Sequence, residues 1–248
     1  MKVYDNIHEA YIETLRDVYH NFEYESAPRG LPIREKLDYT FKILNPVAES
    51  ILTHDLDRNL VIEEYTKKEM DLYDSQTNKV EDFATASKFW KTIANPDGTI
   101  NSAYGHLIWG VLSCGNPVFE TDGAPYRTPW EWAKQSLEAD KDTRQAVMKF
   151  SLPRHFWKGN KDFVCTLHGN WLIREDKLHL SIVMRSNDLM KGLVYDLSWF
   201  VSLMDRMVEE LKPTYPELQK GAYTHSVHSI HIYEKDAPAI LKMIGEAE

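Results

Sequence analysis

The sequence predicts an α+β fold in one domain, and three observations carry that expectation. Strand-like and helix-like stretches interleave without a regular βαβ period. Two adjacent strand-like runs in the C-terminal half lead into a long amphipathic helix. Finally, 248 residues, 43% of them hydrophobic, can bury a substantial core without disulfides or a structural metal.

Residues 7–22 read as a helix, because Ile7, Tyr11, Leu15, Val18, Tyr19 and Phe22 recur at helical spacing. Ala27 to Pro32 holds two prolines and a glycine and reads as a loop, and Leu37 to Leu44 has the β-branched and aromatic content of a strand. Residues 59–73 form a polar helical pattern, and the Pro-Asp-Gly between Asn95 and Gly98 marks a turn. Thr128-Pro129 opens a capped helix. Phe163 to Ile173 and Leu178 to Met184 are strand-like runs joined by a charged turn at 174–177. Leu197, Phe200, Val201, Met204, Met207, Val208 and Leu211 form an apolar helical stripe, stopped by Pro213. Residues 222–233 read as a strand, and Asp236-Ala237-Pro238 opens a final short helix. No internal repeat or low-complexity segment is visible.

A net charge of −9 argues against a protein that coats nucleic acid, yet a few focused arginines can hold one phosphate. Cys114 and Cys165 lie far apart in no metal-like spacing, which suits a reducing cytoplasm. The mixed polarity of MKVYDNIHEAYIETL does not resemble a signal peptide, and no run of about 18 apolar residues predicts a membrane span.

Cys165, in Asp-Phe-Val-Cys-Thr, reads locally as an ordinary buried core cysteine. Arg185, Ser186, Asn187 and Asp188 crowd the junction between a strand and the long helix. They suit either a capped turn or an anion site. His225, His228 and His231 invite a metal reading, but 228 points away from the face that 225 and 231 share, so no metal is expected.

The motif Arg185-Ser186-Asn187-Asp188, with Gly192 and Asp196 at steps of four, resembles the thymidylate synthase family's R-S-x-D-x-x-x-G-x-x-x-N. Cys165 stands 20 residues before Arg185, where that family places its nucleophile. Gly221 with His231-Ile232-Tyr233 is similar to its sugar-contacting strand, Tyr104-Gly105 to its Y-G turn, and Arg29-Gly30 to its N-terminal phosphate site. Trp90 and Glu69 match an active-site tryptophan and a catalytic glutamate. Arg144 stands where an arginine reaches the neighbouring subunit's phosphate site.

The resemblance implies a single catalytic domain over 1–248, a mixed, mainly antiparallel sheet packed by helices, and a homodimer. It implies Cys165, Glu69, Asp196 and Tyr104 as catalytic residues. Arg29, Arg144, Arg185, Ser186, Asn187, His231 and Tyr233 would meet a pyrimidine nucleoside monophosphate. Asp188, Trp90 and Gly192 would meet 5,10-methylenetetrahydrofolate. The Cys165 thiolate, favoured by nearby Arg185, would add to the pyrimidine C6 and make C5 nucleophilic toward a one-carbon unit.

Three departures sharpen this. Gln145 replaces a second paired arginine, Thr166 follows the nucleophile where thymidylate synthases carry histidine, and Asp196 replaces the asparagine that reads uracil. The last two resemble the phage-type deoxycytidylate hydroxymethylases, a branch of the same family that finishes with water rather than hydride. Uracil offers an acceptor beside a donor and cytosine the reverse, so a carboxyl group suits the cytosine amino edge. The expected reaction is dCMP to 5-hydroxymethyl-dCMP. CMP or dUMP as substrate, thymidylate synthesis, and a silent nucleotide-binding homologue stand as alternatives.

Overall fold

The computed structural model describes residues 1–110 and 128–247. The chain opens with β1 (Lys2–Tyr4) and α1 (Ile7–His20), which Asn6 caps by accepting the Glu9 amide at 2.9 Å. Next come β2 (Tyr24–Ser26) and β3 (Ile33–Ile43). The strand expected from Leu37 reaches back to Ile33, which pairs with Tyr233, and it runs through Asp38 at a φ of 48°.

The polar helix, α2 (Leu56–Asp74), starts earlier than its pattern indicated because Asp55 accepts the Arg58 amide at 3.1 Å. Three helices too short to show a period follow: α3 (Val80–Phe83), α4 (Trp90–Ile93) and α5 (Tyr104–Trp109). The expected turn between α4 and α5 closes with the Gly98 amide on the Asn95 carbonyl at 3.0 Å. Gly105 lets α5 cross α2 closely, since a β-carbon there would lie 1.8 Å from the Tyr73 carbonyl oxygen.

Helix α6 (Pro129–Ala139) carries a full capping box between Thr128 and Glu131. Beyond it lie β4 (Val147–Lys149), β5 (Thr166–Arg174), β6 (Lys177–Met184), β7 (Asn187–Asp188), α7 (Val194–Leu211), β8 (Gln219–Tyr233) and α8 (Ala237–Met243). One π-helical turn, Leu189–Leu193, feeds α7.

The described strands form one sheet in the order β1-β3-β8-β6-β5-β4, with β2 beside β3 and β7 beside β8. Most residue pairings are antiparallel, while β1–β3, β6–β8 and β7–β8 are parallel, so the sheet is mixed as expected. All seven apolar stripe residues of α7 are buried in the core, each worth roughly 1.5–3 kcal/mol by area. No described helix is long and apolar enough to cross a membrane. Cys114 lies outside the described residues. The end of β6, the start of β5, β7 and the first turn of α7 meet at one place, and the candidate residues gather there.

Candidate active site

Cys165 sits one residue ahead of β5, not inside the strand that the sequence predicted from Phe163. Arg185 supplies the reason. Its Nε donates to the Val164 carbonyl at 3.1 Å, its Nη2 donates to that of Phe163, and its backbone amide donates to that of Cys165 at 2.9 Å. The same guanidinium lies 3.5 Å from the Cys165 sulfur and 5.1 Å from the centre of the Phe163 ring.

Cys165 as a residue keeps partial exposure. Burial pushes its thiol up to about 11; Arg185 pulls down, while Asp196, Asp162 and Asp188 push up further. The expected effect of Arg185 is therefore present but outweighed, and the free protein holds a thiol rather than a thiolate.

Two carboxyl groups from different helices interact beside this sulfur: Asp196 acts on it, and Glu69 feels Asp196. Asp196, in the first turn of α7, accepts from Asn187 Nδ2 at 3.1 Å through Oδ2. Burial pushes it up to about 7, Asn187 opposes, and Asp188 adds to the rise. Glu69, on α2 and 8% exposed, accepts from the Tyr65 hydroxyl at 3.1 Å. Burial, then the charge of Asp196, pushes it up to about 8. Both acids are thus held toward their protonated forms, and each raises the cost of ionising the other.

Tyr65 also accepts from the Trp90 indole N–H at 3.1 Å, so Trp90 reaches Glu69 through one hydroxyl. Tyr104 is buried, stacks on Tyr73 at 5.5 Å, and feels the charges of both Asp196 and Cys165.

At the opposite side, Asp188 of β7 is the register partner of His231 in β8. The His231 ring stands edge-on to Tyr233 at 5.5 Å. Tyr233 in turn feels Arg29 and Cys165, which brings the exposed Arg29 to the rim of the same cluster. Arg29 and Gly30 turn the chain there with φ of 56° and 77°. Asp188 accepts the Met190 amide through Oδ1 at 2.8 Å, and partly exposed Ser186 follows Arg185.

Two expected residues do not face this chain's own cluster. Asn187 is 2% exposed and its amide nitrogen is spent on Asp196, Met184 and His225, so it stands behind Asp196 rather than on an open surface. Arg144 is exposed just before Ala146, whose carbonyl takes the Trp171 amide. That places it roughly 20 Å along β5 from the chain's own Cys165.

The histidines separate as the strand geometry required. His225 is fully buried, His231 lies toward Asp188, and exposed His228 pairs with Asp38 at 2.8 Å. Among the described residues no three His, Cys, Asp or Glu side chains could hold a metal ion together.

Sequence reasoning missed Tyr65 and Asp162. Tyr65 stands four residues before Glu69 on one helix face, a spacing that signals a side-chain pair. Asp162 accepts the amides of Asn101 and Ser102 at 2.6 and 2.9 Å, pinning the turn that leads to Tyr104. It carries no local signal.

A family model described as thymidylate synthase matches residues 9–247. The deoxycytidylate 5-hydroxymethyltransferase of Enterobacteria phage T6 is 30% identical over 180 residues, which is 70% of this chain and 68% of that one. The deoxyuridylate hydroxymethyltransferase of Bacillus phage SP01 is 32% identical over 105 residues, 41% of this chain and 26% of that one. Among solved structures, the thermostable thymidylate synthase A from Bacillus subtilis superposes with a TM-score of 0.69 at 18% identity. The match covers 97% of this chain and 84% of that one, a likeness of fold.

Proposed function

The chain belongs to the thymidylate synthase family, an enzyme of C5 one-carbon transfer, and from that premise we propose that it hydroxymethylates dCMP. The observation that carries the choice of base is Asp196: a carboxyl group stands where the family reads uracil with an amide, and its charge reaches Cys165. Thr166 after the nucleophile supports the same choice. The atoms balance without oxidation or reduction: C5 gives up a proton and gains a CH2 unit, that unit takes hydroxide from water, and the donor would leave as tetrahydrofolate carrying the proton from C5 and the remaining one from water.

Cys165 adds to C6 of the ring, and Asp196 accepts from the 4-amino group. Its proton, near neutrality, completes the bond to N3. Arg185, Ser186 and Arg29 receive the phosphate, and His231 with Tyr233 meets the sugar. Glu69, oriented by Tyr65 and Trp90, and Tyr104 move the protons and orient water. Asn187 acts from behind Asp196 and does not touch the substrate.

The residues fit a folate. Asp188 commits one oxygen to the Met190 amide and keeps the other for the N–H donors of a pterin, and Trp90 with Phe83 and Phe89 forms an aromatic group beside Glu69. Gly192 stands close to Asp196. When bound, 5,10-methylenetetrahydrofolate supplies the one-carbon unit.

We further propose that residues 1–248 act as one catalytic domain, that the enzyme works in the cytoplasm, and that it is a homodimer. Arg144, remote from its own sulfur, then serves the partner's phosphate site. Sedimentation should give twice the 28.9 kDa chain mass. A fully active monomer would remove the role of Arg144.

The deciding experiment is mass analysis of products from dCMP, CMP and dUMP in parallel with methylenetetrahydrofolate. The expected result is a gain of CH2O on dCMP. A gain of CH2, or reaction with dUMP alone, overturns the assignment; CMP as the better substrate changes the sugar; no product from any of them favours a silent nucleotide-binding homologue.

A further inference from the structure

Behind Asp196 lies a chain of buried polar groups that a role in substrate contact does not explain. The Tyr223 hydroxyl is 2.7 Å from His225 Nδ1, and His225 Nε2 is 3.3 Å from Asn187 Nδ2. Asn187 Nδ2 continues to Asp196 Oδ2 at 3.1 Å. Tyr223 and His225 are 0% exposed and Asn187 is 2% exposed. Polar groups are costly to bury in a core, so three in a row pointing at one carboxyl group call for an account.

Resting on the reading of Asp196 given above, we propose that Asn187, clamped from behind by His225 and Tyr223, is a positioning residue. It fixes how Asp196 presents its carboxyl group to the pyrimidine, so that base choice is set partly by side chains that never touch substrate.

The Asn187 amide sets the direction of the chain: its Nδ2 donates to Asp196 Oδ2, which makes His225 Nε2 the acceptor at the other side. Burial pushes His225 down to about 3, so its ring is neutral and offers one N–H and one lone pair. The ring stacks on Phe41 at 5.3 Å, which holds its plane. With Nδ1–H given to Tyr223, the lone pair of Nε2 receives Asn187.

The Asn187 amide nitrogen then faces two acceptors, Asp196 Oδ2 and His225 Nε2, with Met184 Sδ at 3.0 Å. Turning the amide over would set its oxygen against the lone pair of His225 Nε2 and against the ionised form of Asp196. Its oxygen instead faces Gly192, where a β-carbon would approach to 2.3 Å, and finds no hydrogen-bond partner. Glycine at 192 is thus part of the device. Because the amide donates to Oδ2, the proton that Asp196 carries near neutrality is directed to Oδ1, leaving one acceptor and one donor on the carboxyl group.

Asp188 from β7 acts on Asp196 as well, and the charge of Asp196 is felt by Glu69 and Tyr73 from α2, Tyr104 from α5, Cys165 ahead of β5 and Tyr223 from β8. Of the polar side chains, Asn187 alone donates a hydrogen bond to it among the described residues.

The test follows the Asp196 carboxyl group directly, in the free protein, by carbon-13 NMR of carboxyl-labelled aspartate, with Asp196→Asn identifying the signal. Alongside it, kcat/KM for tritium release is measured with C5-tritiated dCMP and dUMP. His225→Phe, which keeps the stack on Phe41, should raise the Asp196 midpoint by about one pH unit and narrow the dCMP to dUMP ratio at least tenfold. His225→Gln, whose amide oxygen replaces the lost acceptor, should restore both to within about twofold. Tyr223→Phe should move both in the His225→Phe direction, by less.

An unchanged midpoint in folded His225→Phe, or equal shifts in the Phe and Gln variants, overturns the proposal. If His225→Phe does not fold, an unchanged midpoint in Tyr223→Phe does so. A wild-type enzyme that prefers dUMP would sink the base assignment while leaving the carboxyl measurement to judge this inference separately.

Discussion

Cys165→Ser is expected to lower tritium release from C5-tritiated dCMP by roughly 10⁴-fold or more, while dCMP binding stays within a few-fold of wild type. On the proposed mechanism covalent addition at C6 activates C5, and a hydroxyl in the same recess cannot replace the sulfur. Arg185 and the remaining nucleotide contacts are untouched, so equilibrium dialysis should still register the ligand. A serine variant retaining a hundredth of the activity would show that the sulfur is not the nucleophile.

A pH dependence follows from the same atom. With burial holding the thiol at about 11, the alkylation of Cys165 by a neutral reagent should climb with pH toward that value, with little thiolate near neutrality. Peptide mass mapping separates Cys165 from Cys114. A rate already saturated at neutral pH would mean that Arg185 outweighs burial.

Asp196→Asn should exchange one base for the other. An amide offers N–H and C=O in the sense that uracil needs, so activity on dCMP should fall about 10²–10⁴-fold and activity on dUMP should rise. Loss of the carboxylate also removes the neighbour that helps to hold Glu69 near 8. The pH at which Glu69 gives up its proton should therefore move down, visible as a shift of the pH–rate limb toward acid. Equal losses on both bases, with no shift of that limb, would deny Asp196 the reading of the base.

The sequence disclosed the elements whose physics is local. The apolar stripe of α7, the Thr128 cap and the Pro-Asp-Gly turn each follow from neighbouring residues, and all three are present. It misjudged the boundaries that distant groups decide. The strand expected from Phe163 begins at Thr166 because Arg185, 20 residues on, occupies the carbonyls of 163 and 164. Similarly, β3 extends to Ile33 because β8 lies beside it.

At the candidate site, motif resemblance named residues that the fold gathers: Cys165, Arg185, Asp196, Glu69, Tyr104 and His231 around one place. It could not tell that Asn187 would face inward, because a motif gives position along the chain and not the direction of a side chain. His225 was visible only as a doubtful metal ligand. Its pairing with Asn187, from β7 to β8, is a contact across the sheet that no spacing encodes.

Arg185 has one more consequence. Its guanidinium braces the backbone of residues 163 and 164 while resting 3.5 Å from the sulfur, so one side chain both anchors the segment that carries the reactive atom and sets a positive charge beside it. Because burial outweighs that charge and keeps the sulfur protonated, stray oxidants and electrophiles meet a slow thiol instead of a reactive thiolate.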